Sequence, residues 1–461
     1  MLHKRVEGFI KEPKKALLKL SLPVIIGMFV QVMYNVVDTA FVGRLGAESI
    51  AALTFSFPVF FILIGLNSGL VIGMSSRISR YLGEGKKEDA ENTAMHGIFL
   101  SIITSIILTI VGMIFIKPLF SIFGAAETVL HLSISYMSIL FYGMTFMFLS
   151  FIISSIFSAQ GDTKTPTKIQ IFGLVTNIIL DPIFIYTFNL GVKGAAIATV
   201  ISIFLSLMLS IYYLKKDSKL IIHPRSFKYS QKLVKEIVFI GIPASMIMLM
   251  MSLYVMIINR LMAYFGTDYV ASFGLVSRLD SVAIMPIVAL SMAIMVLVGM
   301  FYGAKRIDLV KEIVKYGTKI GIVFTLFIAL LFFVIPSLFI RIFTTDTNLI
   351  LIGKPYLQLD LLGFPFIVAT MIISRAMQGM GYGMPGFVVN LIRSLIIAVP
   401  LSYLFVFVLG YGYLSVAVAA LIGNIAAAIV SIIWFLYEIK KSENTRINKK
   451  KEAVVVADGF I

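Results

Sequence analysis

The sequence predicts an all-α integral membrane protein with 12 transmembrane helices in two pseudo-symmetric six-helix lobes. Three observations predict it. Of 461 residues, 59% are apolar and only 13% are charged, about half the ~25% usual for a soluble domain. Twelve unbroken apolar stretches reach the roughly 20 residues that a helix needs to cross a bilayer, whereas barrel strands would be ~10 residues long and alternating. The second half of the chain also repeats the first at a shift of about 220 residues. This composition excludes a cytosolic enzyme and a disordered chain.

Residues 1–15 form a basic leader that enters the first span, 16–41. That apolar run is too long for a signal peptide and lacks a small-residue cleavage site, so an uncleaved helix is expected. Spans at 50–76, 93–117, 129–158, 168–189 and 192–214 complete the N-terminal lobe, 16–214. A basic linker, 215–235, leads to the C-terminal lobe, 236–438, with spans at 236–264, 269–300, 318–342, 349–376, 385–409 and 412–438. Residues 439–461 form a polar tail.

The net charge is +16, carried by 39 Lys and Arg. With the N-terminus inside, 30 of them fall in inner segments and five in outer loops. This bias predicts both termini in the cytoplasm; a multi-pass protein of the plasma membrane, in contact with lipid, is expected. The basic charge belongs to membrane topology, so no nucleic-acid partner is expected. The chain has no Cys, which excludes a disulfide framework, an iron–sulfur cluster, a thiolate zinc site and a Cys nucleophile. No G-x-x-x-x-G-K-[ST] loop is present, and His3, His96, His131 and His223 lack an H-x-x-x-H partner. No cofactor is expected. The GEG at 83–85 and GMGYG at 379–383 read as turns.

The duplication pairs Pro23 with Pro243, Gly46 with Gly266, Ala51 with Ala271 and Gly83 with Gly303. AQG at 159–161 pairs with MQG at 377–379, Pro182 with Pro400, and Gly191 with Gly412. Two parallel lobes of this kind usually rock about a central cavity to give alternating access.

The halves differ in their acids. Asp38 and Asp181 fall within spans and align with Ile258 and Val399 in the second half. A carboxylate in a span is costly and therefore a functional candidate. At 1.5 Å per residue, Asp38 lies ~22 Å along its helix from Pro23 and Asp181 ~20 Å from residue 168, similar depths that Thr199 can also reach. Gln31, Tyr34 and Asn35 share the helical face of Asp38, and Asn177 lies one turn before Asp181. Two carboxylates, an amide oxygen and a hydroxyl make a set of hard ligands of the type Na⁺ prefers. Alternatively, two carboxylates in an apolar setting carry a proton. A third reading leaves each Asp hydrated near an interface or capping a neighbouring helix.

Asp280 and Asp360 in the second lobe are read equally as structural pairs or as lining. Arg260, Arg375 and Arg393 are expected to snorkel. The Met cluster at 246, 248, 250, 251 and 256 is expected to pack between helices. Pro23 removes a backbone hydrogen bond and marks a hinge in the first span.

AQGDTKTP at 159–166, NIILDP at 177–182 and VDTAFVGRLG at 37–46 resemble the multidrug and toxic compound extrusion (MATE) transporters, over roughly residues 12–440. Lobe-one aspartates with no equivalent in the second lobe resemble the DinF-like branch, and the sequence as a whole is similar to its archaeal members. The resemblance implies Na⁺- or H⁺-coupled export of lipophilic, often cationic drugs by a non-enzymatic monomer. It also implies a cation site of Asp38, Asn177, Asp181 and Thr199. Gln31, Tyr34, Asn35, Asn177 and Asp181 would meet substrate. Other branches place their key acids in the second lobe, which keeps Asp280 and Asp360 as an alternative. A lipid or lipid-linked saccharide flippase is a second reading; it would favour further spans and a cavity lined with Arg and Lys. An intramembrane aspartyl protease would need Y-D and G-x-G-D contexts, where this chain has VVDT and ILDP.

Overall fold

The computed structural model describes residues 2–122, 127–222 and 227–458. His223 and Arg225 of the linker and the last three residues of the tail lie outside these. Among the described residues every regular element is helical. The chain begins with α1 (Leu2–Lys11), α2 (Pro13–Gly43), α3 (Ala47–Gly83), α4 (Lys87–Ile122), α5 (Glu127–Ala159) and α6 (Lys164–Pro182). A π-helical turn, Ile183–Thr187, follows, and then α7 (Val192–Lys216). The second half opens with α8 (Gln231–Ala263), α9 (Thr267–Gly303), α10 (Ile307–Val334), α11 (Pro336–Arg341), α12 (Thr347–Leu361) and α13 (Phe364–Met380). It continues through α14 (Met384–Leu391), π turns at Ile392–Ala398 and Leu404–Val408 flanking α15 (Val399–Tyr403), and α16 (Leu414–Asp458).

Eleven of these segments are long and apolar enough to cross a membrane, and α12 with α13 form a twelfth if counted as one bent span. That pair corresponds to the expected span 349–376, which is bent by 51°. The physical cause is Pro365 in the first turn of α13, whose ring would collide with the Leu361 carbonyl if the helix ran through. The expected span 318–342 is also interrupted. Its helix stops at Val334 because Ile335 precedes Pro336 and takes φ −127°, ψ 52°, outside the helical region. By contrast, α2 remains helical through Pro23.

The chain forms two compact units, one of Met1–Phe9 with Leu18–Met248 and the other of Ile10–Leu17 with Leu249–Ile461. Both α2 and α8 therefore begin in one unit and end in the other. In the first unit, Phe120, Met137, Phe141, Met144 and Phe148 form an apolar core between α4 and α5. In the second, Ile258, Leu279, Phe332, Tyr356 and Phe364 do the same. Large apolar side chains such as Phe61, Ile107, Ile114, Phe327 and Leu330 are exposed, as expected of surfaces solvated by lipid.

The duplication extends to the backbone. Positive φ recurs at Gly46 and Gly266, at Gly85 and Lys305, and at Gly161 and Gly381. The backbone thus pairs Gly161 with Gly381, two residues beyond the Gly379 that the AQG and MQG motifs match to it. The π turn Ile183–Thr187 is matched by Leu404–Val408. Counted from these turns Asp181 aligns with Ser402, and counted from Pro182 it aligns with Val399. Neither partner is acidic.

Candidate functional site

The AQGDTKTP segment sets the start of α6. Gly161 takes φ +77°, and Asp162 Oδ1 accepts from the backbone N–H of Lys164 and Thr165, each at 3.2 Å. The adjacent Gln160 Oε1 accepts from the backbone N–H of Lys219 at 3.0 Å and Leu220 at 3.3 Å, which ties down the chain after α7. From this start, α6 carries Asn177 and Asp181 into the first unit, both with no exposure to solvent. Pro182 ends the regular α-helical hydrogen bonding, and the π turn takes over.

The Asn177 amide nitrogen donates to Asp181 Oδ1 at 3.0 Å. Asp38 is 8% exposed and Thr199 6%. Asp181 lies within electrostatic range of Asp38. Tyr34 is the hub of the group: its hydroxyl shares a 3.1 Å hydrogen bond with Ser202 and lies beside Thr199, within electrostatic range of both acids. Ser202 in turn donates to the Thr199 backbone carbonyl at 2.8 Å.

Four buried oxygens in this cluster have no hydrogen-bond partner: Asp38 Oδ1, Asn177 Oδ1, Asp181 Oδ2 and Thr199 Oγ1. Buried polar atoms are rarely left so. A set of carboxylate, amide and hydroxyl oxygens fits a hard cation such as Na⁺, and the paired carboxylates equally fit a proton. The structure therefore gathers Tyr34, Asp38, Asn177, Asp181 and Thr199. Gln31 and Asn35, on the same helix, are exposed.

Two members of the group carried no sequence signal. Ser202 is one of many small hydroxyl residues in the spans, and its pairing with Tyr34 is tertiary. Tyr136 of α5 also comes within electrostatic range of Tyr34, Asp38 and Asp181, from a stretch of apolar sequence that marks nothing.

The second unit holds a different cluster. Asp280 and Asp360 interact through their carboxyl groups, and Tyr254, Tyr356 and Arg393 share the field of Asp360. Arg393 Nη2 points at the Met251 sulfur, 3.0 Å away, and Arg375 donates to Gln378 at 3.1 Å. Arg375 thus meets a polar neighbour within the unit, and Arg393 a thioether. Of the methionine cluster, Met250 is buried, while Met246, Met248, Met251 and Met256 are exposed.

The MatE family model matches this chain twice, at residues 23–183 and 243–404. Each match begins at one of the paired prolines, Pro23 and Pro243. The chain is 27% identical over 442 residues to "Probable multidrug resistance protein YoeA" of Bacillus subtilis (strain 168), covering 92% of this chain and 94% of that protein. It is 30% identical over 406 residues to "FAD transporter" of Shewanella oneidensis, covering 86% and 89%. Among solved structures, "Crystal structure of MATE in the bent conformation" superposes with a TM-score of 0.91 at 32% identity, covering 94% of this chain and 97% of that one.

Proposed function

Because this chain belongs to the MATE family of multi-pass membrane transporters, we propose that it is a secondary multidrug antiporter of the plasma membrane. It exports lipophilic or cationic small molecules in exchange for Na⁺ or H⁺, by rocking between outward- and inward-open states. The family's members carry small-molecule cargo and are not enzymes.

The observation that supports the coupling site is the set of four unpartnered oxygens around Tyr34. Asp38, Asn177, Asp181 and Thr199 would hold the cation, with Gln31, Tyr34 and Asn35 on the substrate side. Asp38 and Asp181, which have no acidic equivalent at the matching positions of the second half, favour the DinF-like branch. Pro23 serves as the hinge of α2, where the Thr167 hydroxyl donates to the Pro23 carbonyl at 2.7 Å. The skew of Lys and Arg favours both termini in the cytoplasm, and the protein works as a monomer in lipid. A flippase for lipid-linked saccharides would need a basic cavity; the group around Tyr34 is acidic.

The relative described as an FAD transporter supports a second reading for the cargo, a flavin nucleotide in place of a drug. Proteoliposomes under separately imposed Na⁺ and H⁺ gradients decide both points. Ethidium should be driven by one of the two gradients. Flux of FAD but not ethidium would select the second reading, and flux indifferent to both gradients would refute antiport.

A further inference from the structure

The first turns of α2 and the segment entering α8 are held by equivalent positions of the two repeats. In the first unit, Asn92 of α4 grips the backbone of Lys228 from both sides. Its amide nitrogen donates to the Lys228 carbonyl at 2.9 Å, and its Oδ1 accepts from the Lys228 N–H at 3.1 Å. One turn on, His96 is fully buried. Its Nε2 accepts from the Ser230 N–H at 2.9 Å while Nδ1 meets the Asn92 carbonyl at 2.8 Å. Only the neutral Nδ1–H tautomer makes both contacts. Glu91 Oε1 adds a third tie, accepting from the Ile221 N–H at 2.6 Å.

A shift of 220 residues turns Asn92 and His96 into Glu312 and Tyr316 of α10. In the second unit these two meet Lys14 near the start of α2, in an exposed ion pair and a ring contact. Lys14 Nζ lies 3.3 Å from Glu312 Oε1 and 5.4 Å from the centre of the Tyr316 ring. The chemistry differs between the two grips, but the positions and the task agree.

Beyond its grip, the first part of α8 is docked on α3. Gly65, Gly69 and Gly73 form a stripe on α3, where a Cβ at Gly69 would collide with the Gly241 carbonyl and one at Gly73 with that of Ile237. Close to the stripe's end, Arg77 Nε lies 2.6 Å from Glu236 Oε2. Only past Met248 does α8 pass into the second unit, as α2 passes into the first after Leu17.

Each of these helices is thus clamped in one unit and continues into the other. If the repeats rock against each other, each shared helix carries that motion to its clamp. We propose that Asn92 with His96, and Glu312 with Tyr316, are paired latches whose release is a required step of the transport cycle. This rests on the transporter reading, without depending on the coupling ion.

The absence of Cys from the chain makes the test direct. Asn92→Cys with Lys228→Cys, and Lys14→Cys with Glu312→Cys, are each bridged by a short bis-methanethiosulfonate, and ethidium efflux is followed in proteoliposomes. Bridging either pair should slow efflux at least tenfold, and dithiothreitol should restore the unbridged rate. Undiminished efflux with bridging complete would show that α2 and α8 simply bend, and would overturn the proposal. A second measurement leaves the latches intact: spin labels at Lys11 and Lys315, and at Glu88 and Lys232, positions whose side chains are exposed. Each pair should show two distances whose proportions change with Na⁺ or ethidium, and one invariant distance would overturn the proposal. This measurement decides if the unbridged double variants are inactive. A wild-type protein that moved no ethidium would refute the cargo assignment and leave the label distances as the test of the latches.

Discussion

Asn177 donates its amide hydrogen to Asp181 Oδ1 across one turn of α6, and the bond leaves Asn177 Oδ1 and Asp181 Oδ2 as neighbouring buried acceptors without a donor. The amide is thereby fixed with its oxygen free, so one unpartnered oxygen remains on each of the two side chains. Asp38 and Thr199 complete the set from α2 and α7.

Asp38→Asn and Asp181→Asn should each reduce ion-coupled efflux to a tenth of wild type or less while leaving the fold intact. Removing a buried charge that lacks a counter-charge does not cost stability, so the thermal midpoint in detergent should be unchanged or raised. Full drug resistance in cells expressing either variant would sink the assignment.

Pro23→Ala restores an N–H that can donate to the carbonyl four residues earlier, and it stiffens α2 at the point where Thr167 is bonded. Efflux should slow severalfold with both acids in place. Wild-type efflux from this variant would remove the hinge and spare the cation site.

Substrate and cation should compete. If the cation draws α2, α6 and α7 together around Tyr34, it alters the face that carries Gln31 and Asn35. Linkage makes the effect reciprocal, typically about 5–150-fold for a coupling of roughly 1–3 kcal/mol. Ethidium affinity in detergent, followed across a Na⁺ series and a pH series, measures it. Affinity that fell with neither ion would refute the competition; a response to one alone would name the coupling ion.

Gly73→Ala should destabilise the first unit by about 1–3 kcal/mol, because the new methyl group meets the Ile237 backbone carbonyl and no side chain can yield. Thermal unfolding in detergent checks this, with Gly8→Ala, which meets nothing within 4 Å, as the control.

Lys305→Gly should raise stability by about 1 kcal/mol. Lys305 occupies φ +57°, where its counterpart Gly85 takes φ +76°, and a side chain in the left-handed region costs roughly 1–2 kcal/mol. A lowered thermal midpoint would mean that contacts of the Lys305 side chain outweigh the strain.

The sequence made the helical architecture and its duplication legible because hydropathy and glycine placement are local signals. Asp38 and Asp181 stood out for a simple reason: ionised groups are scarce in spans. Tyr136 and Ser202 did not, since aromatic and hydroxyl residues are common there and only the fold brings these two to the acids. The break between Leu362 and Gly363 was hidden by averaging over an apolar window, though Pro365 was its visible cause. His96 shows no partner in the sequence because the group it bonds is a backbone N–H 134 residues away. The passage of α8 from one unit to the other at Met248 has no local signal at all.

The π turn at Ile392–Ala398 has a bearing on the protein's ancestry. The region of the second half that corresponds to α6 contains it, while α6 itself is regular α-helix up to Pro182. A π turn widens the helix and rotates whatever follows it by an amount of the order of the ~100° that one residue spans. Placing Asn at Leu395 and Asp at Val399 would therefore not rebuild on that side what Asn177 and Asp181 build on the other. After the gene doubled, the two copies diverged in backbone geometry as well as in side chains. Exchanging side chains alone would therefore not make the two halves equal, because their backbones differ at this point.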